Sequence, residues 1–279
     1  MKIELASSYG FCYGVKRAIE IAEKHENSFT YGPLIHNKDE IKRLKDGFNI
    51  GLVEKIEDIK NDNAVVIRTH GIPKDELALL NKQDNKIIDA TCPYVTTPQN
   101  IVAKMSSEGY SIIIFGDKEH PEIKGVVSYA EDQENAFIVL DKEELETLPL
   151  KNKVALVSQT TKKPADFLKI VNALILTHKE VRVFNTICNA TFENQDAAAE
   201  LAKKADVMIV IGGRHSSNSK MLQSISQQQC KESYLIENES ELNSKWFNGK
   251  NLCGISAGAS TPDWIIQNVV NKIKELNIN

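Results

Sequence analysis

The apolar and polar positions divide the chain into short continuous apolar runs separated by longer amphipathic stretches. Four runs, Ala64–Thr69, Ser111–Gly116, Lys153–Ser158 and Asp206–Gly213, are apolar at consecutive positions rather than at alternate ones. That is the signature of parallel strands covered by helices on both faces. Between and after them lie stretches of helical periodicity, at 15–25, 97–109, 164–176, 194–205 and 263–276. Strand and helix alternate, which predicts an α/β chain with mainly parallel sheets. No Gly/Ser-rich linker interrupts the alternation.

The pattern also repeats. A strand, a cysteine and then a helix recur around Cys12, Cys92 and Cys188, at separations of 80 and 96 residues. A second strand in each copy ends in a polar turn: "GPLIHN" with His36, "HPEIKG" with His120 and Glu122, and "RHSSNS" with Ser216, Ser217 and Asn218. A third strand ends in "RTHGIP" with His70, "SQTT" with Thr160, and "AGASTP" with Ser260. The expectation is three copies of one small α/β unit, spanning 14–92, 93–187, and 188–279 plus 1–13. Parallel sheets bind ligands beyond the carboxyl ends of their strands. Three copies about a pseudo-threefold axis would therefore put nine strand ends, and the active site, at the centre.

Composition narrows the function classes. The chain has 279 residues, 42% hydrophobic and 26% charged, with a net charge of −4 and no basic run, which disfavours a nucleic-acid partner. No apolar stretch reaches the roughly 18 residues of a membrane span, and the first residues carry no secretory signal pattern. The expected location is cytoplasmic. Five cysteines, odd in number and widely spaced, are not a disulfide framework. They are core filler, nucleophiles or metal ligands.

Three thiolates on one axis would leave a tetrahedral metal centre with one position open. Zinc and a cubane iron–sulfur cluster both suit soft thiolate ligands, and both readings stand at this point. Cys230, after the polar run "SISQQQ", and Cys253, inside "NLCGIS", read as structural. Imidazoles together with the hydroxyls and amide of "SSNS" and "GAST" would make an anion receptor for a phosphate or diphosphate. The competing reading of "SSNS" is a helix cap without a ligand. Arg214 and His215 read as flank, and His25 and His178 as structural or exposed. Glu122 is the one carboxylate among these turns. It is a candidate proton donor with a pKa raised by burial and negative neighbours, or else a helix-dipole partner. Thr160 could orient a substrate hydroxyl and relay a proton, or cap a helix.

Nine stretches, "GFCYGVKRAI", "GPLIHN", "RTHGIP", "DATCPYV", "HPEIKG", "SQTT", "NTIC", "SSNS" and "AGASTP", stand in the order found in the 4-hydroxy-3-methylbut-2-enyl diphosphate reductase (LytB) family. The chain resembles that family from Cys12 to Asp263. The resemblance implies three α/β domains around one 4Fe–4S cluster per chain, held by Cys12, Cys92 and Cys188, with an open apical iron for the substrate hydroxyl. It implies diphosphate binding by His36, His70, His120, Ser216, Ser217, Asn218 and Ser260. Glu122 would deliver a proton and Thr160 would orient the hydroxyl. The implied reaction is a two-electron reductive dehydroxylation giving isopentenyl and dimethylallyl diphosphate, the last step of the methylerythritol phosphate route. Ferredoxin or flavodoxin would supply the electrons. The chain departs from common family residues at Tyr13, at Thr97-Pro98-Gln99 and at His215, which bears on local pocket shape and donor docking. Two other readings remain: an iron–sulfur hydro-lyase, and a non-catalytic metal-binding sensor.

Overall fold

The computed structural model describes residues 1–35, 37–59, 64–82, 85–214 and 216–276, with the side chains of Thr191 and Ser217 also outside the description. The strands in chain order are β1 (Lys2–Leu5), β2 (Phe29–Tyr31), β3 (Gly51–Val53), β4 (Ala64–Ile67), β5 (Lys86–Asp89), β6 (Ser111–Phe115), β7 (Ala136–Val139), β8 (Lys153–Ser158), β9 (Glu180–Val183), β10 (Val207–Ile211), β11 (Ser233–Ile236) and β12 (Leu252–Ala257). The helices are α1 (Tyr13–Glu23), α2 (Lys38–Phe48), α3 (Lys74–Lys82), α4 (Pro93–Ser107), α5 (Pro121–Val127), α6 (Pro164–Thr177), α7 (Ala190–Ala202), α8 (Ser217–Gln229) and α9 (Asp263–Leu276).

The strands form three four-stranded sheets, and every pairing is parallel. Their orders are β3-β2-β4-β5, β7-β6-β8-β9 and β1-β12-β10-β11. Read from the other edge, the last is β11-β10-β12-β1. It is the same order, with the N-terminal strand filling the fourth place. The protein is an α/β chain built three times on one plan.

The four apolar runs are the inner strands β4, β6, β8 and β10. All five residues of β6 and all five of β10 are buried, as expected of strands covered on both faces. Each sheet holds four strands rather than the three expected. The extra ones, β3, β7 and β11, are edge strands of three or four residues, too short to leave a clear apolar pattern. The strand before each cysteine, β1, β5 or β9, closes a sheet as its fourth strand; the expected spans put it at the end of a copy, while the strand–cysteine–helix repeat counts it first. Cys92 and Cys188 therefore stand at the crossing from one sheet to the helix of another. α4, after Cys92, packs on β6 and β8, and α7, after Cys188, packs on β12.

Contacts group the chain into two compact units. One comprises Met1–Lys16, Ile35–Arg43 and Asn189–Asn279, with the β1-β12-β10-β11 sheet. The other comprises Arg17–Leu34 and Leu44–Cys188, with the other two sheets. No helix among the described residues is long and apolar enough to cross a membrane.

Candidate active site

Three loops follow the third strand of the three sheets, and each accepts a hydrogen bond from a cysteine amide. Cys92 N–H donates to the Thr69 carbonyl at 2.9 Å, Cys188 N–H to the Thr160 carbonyl at 2.7 Å, and Cys12 N–H to the Ala259 carbonyl at 3.4 Å. The repeat in sequence is thus a repeat in hydrogen bonding. It sets each thiol beside a loop bearing a predicted site residue: His70, Thr160 or Ser260. Cys12 and Cys92 directly precede α1 and α4, and their carbonyls accept the first helical bonds. Cys92 makes no side-chain capping bond, so capping does not explain a cysteine there. Cys12, Cys92 and Cys188 are half-buried.

The other two cysteines differ. Cys253 is fully buried in β12, and burial pushes its thiol up to about 12. Cys230 closes α8 and is buried, and burial again raises its pKa. Both stay neutral thiols at ordinary pH, which suits core packing and not ligation.

In the larger unit, Glu122 lies in the first turn of α5 and is 1% exposed. Burial pushes its carboxyl above the usual range, and two hydrogen bonds from Thr160 oppose that shift. The Thr160 amide donates to Glu122 Oε1 at 2.7 Å, and the Thr160 hydroxyl meets Oε2 at 2.6 Å. The carboxyl is raised as the sequence led one to expect, and burial is the cause. His120 caps α5, its Nδ1 accepting from the Glu122 amide at 3.2 Å. That acceptance puts the proton of the neutral ring on Nε2, the donor form that an anionic oxygen requires. His70 and His120 meet edge to face, with ring centroids 5.4 Å apart. Gly125 faces the His70 loop. A Cβ there would lie 3.7 Å from the His70 carbonyl and 3.6 Å from the Ile72 carbonyl, so α5 runs directly along the His70 loop.

In the other unit, Ser216 caps α8, its Oγ accepting from the Ser219 amide at 3.3 Å. Ser217 opens α8. Both polar atoms of the Asn218 side chain are buried and have no hydrogen-bond partner among the described residues. A buried, unmatched amide costs about 1–3 kcal/mol, so a ligand oxygen is the natural complement. The "AGAST" loop reaches the same place. A Cβ on Gly258 would lie 2.6 Å from Ser219 Oγ and 3.7 Å from Asn218 Nδ2. Ser260 is half-buried in that loop, and the Thr261 hydroxyl secures the loop to the Ile211 carbonyl at 3.0 Å. His36 and His215 lie outside the described residues.

Several contributors escaped the sequence reading. Asn194 of α7 supports the loop before Cys12, accepting from Ser8 Oγ at 2.6 Å and donating to the Gly10 carbonyl at 3.4 Å. Gln159 accepts from the Asp117 amide at 3.0 Å and donates to Thr161 at 3.2 Å. Asn194 stands in none of the quoted motif stretches. Gln159 was visible only as the second letter of "SQTT".

Among the described residues, no group of three or more His, Cys, Asp or Glu is gathered as it would be around a single metal ion. A cubane binds each cysteine to a different iron, so its ligands need not share one ion's coordination sphere. Three half-buried cysteines at equivalent turns are the soft donors that either a cluster or zinc takes.

The LytB protein family profile matches residues 3–274. The chain belongs to the LytB family. A relative from Sulfurovum sp. (strain NBC37-1), named 4-hydroxy-3-methylbut-2-enyl diphosphate reductase, is 75% identical over 99% of this chain and 100% of its own length. A relative of the same name from a Nitratiruptor species is 62% identical over the whole of both chains. A solved structure of (E)-4-hydroxy-3-methyl-but-2-enyl diphosphate reductase, described as the terminal enzyme of the non-mevalonate pathway, is 41% identical. It superposes with a TM-score of 0.83, covering 99% of this chain and 100% of that one. The E-1-hydroxy-2-methyl-but-2-enyl-4-diphosphate reductase of Plasmodium falciparum is 28% identical, with a TM-score of 0.81, over 96% of this chain and 86% of that one. As a LytB protein the chain is an enzyme of the reductase class, and the α/β plan read from its sequence is the fold of that family.

Proposed function

We propose that this LytB protein reduces 4-hydroxy-3-methylbut-2-enyl diphosphate to isopentenyl and dimethylallyl diphosphate. Two electrons and two protons replace the carbon–oxygen bond with a carbon–hydrogen bond and release water. Cys12, Cys92 and Cys188 would hold a 4Fe–4S cluster, each standing at or next to a junction between the three units 14–92, 93–187 and 188–279 plus 1–13. When bound, such a cluster supplies single electrons and an iron Lewis acid for the substrate oxygen.

The chain's own residues handle the proton and the anion. Glu122 Oε1 is committed to the Thr160 amide, so an acidic proton sits on Oε2, against the Thr160 hydroxyl. With Glu122 protonated, Oε2 donates to Thr160 Oγ1, and the Thr160 hydrogen is released to point at a substrate hydroxyl. Hydroxide is a poor leaving group, and a proton passed along this pair lets it depart as water. His36, His70, His120, Ser216, Ser217, Asn218 and Ser260 are assigned to the diphosphate, holding the allyl group in place for reaction. The electron donor is assigned as a low-potential one-electron carrier, ferredoxin or flavodoxin. Five free cysteines accord with a cytoplasmic, reducing location.

The observation that carries this reading is the 2.7 Å bond from the Cys188 amide to the Thr160 carbonyl. It makes a thiol and the buried acid pair neighbours within one compact unit. The test is anaerobic purification with iron and sulfide quantitation, followed by turnover of the allylic diphosphate with reduced viologen. The reading expects a brown protein that forms both products. Colourless, iron-free protein with full activity would overturn it.

A further inference from the structure

The "RTHGIP" stretch contributes His70 to the site and leaves its arginine without a role. Arg68 is half-buried at the end of β4 and is tied twice to Gly71: its carbonyl accepts the Gly71 amide at 3.0 Å, and its Nε donates to the Gly71 carbonyl at 3.3 Å. Thr69 and His70 are the two residues spanned by this closed turn. Gly71 has φ +69°, a left-handed conformation that favours glycine. The guanidinium also fills the space above Gly32, φ +72°, where a Cβ would lie 2.7 Å from Arg68 Nη1. Glu76 on α3 is the acidic side chain whose charge acts on both the guanidinium and the Tyr31 hydroxyl. Inside the turn, the Thr69 hydroxyl donates to the Leu34 carbonyl at 3.2 Å, while the Thr69 carbonyl holds the Cys92 amide. One side chain thus fixes the turn bearing His70 and packs against the loop after β2.

We propose that Arg68 is the positioning residue for His70, setting the affinity for the substrate's diphosphate without touching the substrate. The proposal rests on the reductase reading, which assigns His70 to that anion. A methionine keeps the length of the stem and loses both the Nε–H and the charge. Lysine keeps the charge and cannot reproduce the planar fork.

The experiment uses anaerobically reconstituted holoenzyme, with steady-state kinetics on the allylic diphosphate and calorimetric binding of inorganic diphosphate. Arg68→Met is expected to raise KM and the dissociation constant of inorganic diphosphate together, by about tenfold or more, the scale of one lost charged hydrogen bond. It should keep kcat within about threefold and iron content at the wild-type level, since only binding is affected. Arg68→Lys should fall between the two. Gly32→Ala, which pushes on the guanidinium from the other side, should move KM in the same direction. The Arg68→Met/Gly32→Ala double variant should be less than additive. Unchanged KM and diphosphate affinity in Arg68→Met at normal iron content, or a loss confined to kcat, would overturn the proposal. If Arg68→Met does not fold, Gly32→Ala decides: an unchanged KM there is equally fatal. A wild-type holoenzyme that binds inorganic diphosphate but does not convert the substrate would sink the reductase reading and leave the binding comparison to judge Arg68.

Discussion

Glu122 receives two contacts from one residue, and they have opposite meanings for its proton. The Thr160 amide can only donate, so Oε1 is permanently an acceptor. The Thr160 hydroxyl can donate or accept, so Oε2 can carry the acid proton without losing its 2.6 Å partner. Burial shifts the balance towards the acid form in the folded chain. The folded pKa lies above the unfolded one, so the folded state binds more protons once pH exceeds the unfolded value, and stability falls as pH rises through that window. Glu122→Gln mimics the protonated acid, its amide oxygen facing the Thr160 amide and its NH2 facing the hydroxyl. The variant should match wild type in denaturant melts at pH 4 and exceed it at pH 8. Its kcat should drop by about 10²–10⁴, the usual contribution of a general acid. A variant equal to wild type in stability at both pH values would show that burial does not hold the proton. Thr160→Val separates the two contacts, since it keeps the amide and deletes the hydroxyl. It leaves a buried carboxyl oxygen unmatched, at a cost of about 1–3 kcal/mol, and should lose activity. Thr160→Ser should retain most of both. Equal activity in the valine and serine variants would remove the hydroxyl from the proton path.

At the scale of elements, the sequence showed best where burial is two-sided and length is sufficient. β6, β8 and β10 and the helices α6 and α9 stand where their apolar patterns put them, α9 over the same residues, 263–276. α4 begins four residues earlier than its periodicity indicated, because Pro93 can open a helix at its first position. Pro98 then sits inside α4, leaving the Tyr94 carbonyl without its helical donor. α2 has only a charged sequence around a few apolar residues and was not legible. Its docking depends on one buried carboxylate. Glu40, 1% exposed, accepts from Arg43 Nη2 at 2.6 Å, from Arg43 Nε at 2.9 Å and from Trp264 Nε1 of α9 at 2.7 Å. Asn37 caps the same turn, accepting from the Glu40 amide at 2.9 Å. Glu40→Ala removes the acceptor of the indole N–H, and urea melts should show a loss of about 1–3 kcal/mol. Trp264 is one of only two tryptophans in the chain, so its emission should shift in that variant. A loss under about 0.5 kcal/mol, the range of ordinary surface changes, would show that α2 is held by other contacts.

For the whole molecule, the threefold plan was legible because a cysteine and two polar turns recur at domain-sized intervals, while the strand order was not. The span 188–279 plus 1–13 joins the N-terminal strand to the last copy, and the parallel pairing of Lys2–Leu5 with Leu252–Ile255 makes it the fourth strand of that sheet. The same pairing explains why the three cysteines are equivalent. Each follows the fourth strand of a sheet, and its amide finds the loop after the third strand of that sheet. Cys230 and Cys253 share neither feature, and burial raises the pKa of each. The plan therefore sorts five cysteines into two classes that composition alone cannot separate, and each class predicts a different result. Cys12→Ser, Cys92→Ser and Cys188→Ser should each lose visible absorbance, iron and turnover together, since a hard hydroxyl is a poor substitute for a soft thiolate. Cys230→Ser and Cys253→Ala should keep all three. Their cost should appear only in melts, at about 1–3 kcal/mol, as for other losses of buried packing or unmatched polar atoms. If Cys253→Ala lost iron while Cys12→Ser kept it, the equivalence drawn from the strand order would be wrong, and the ligand set would have to be reassigned from the core cysteines.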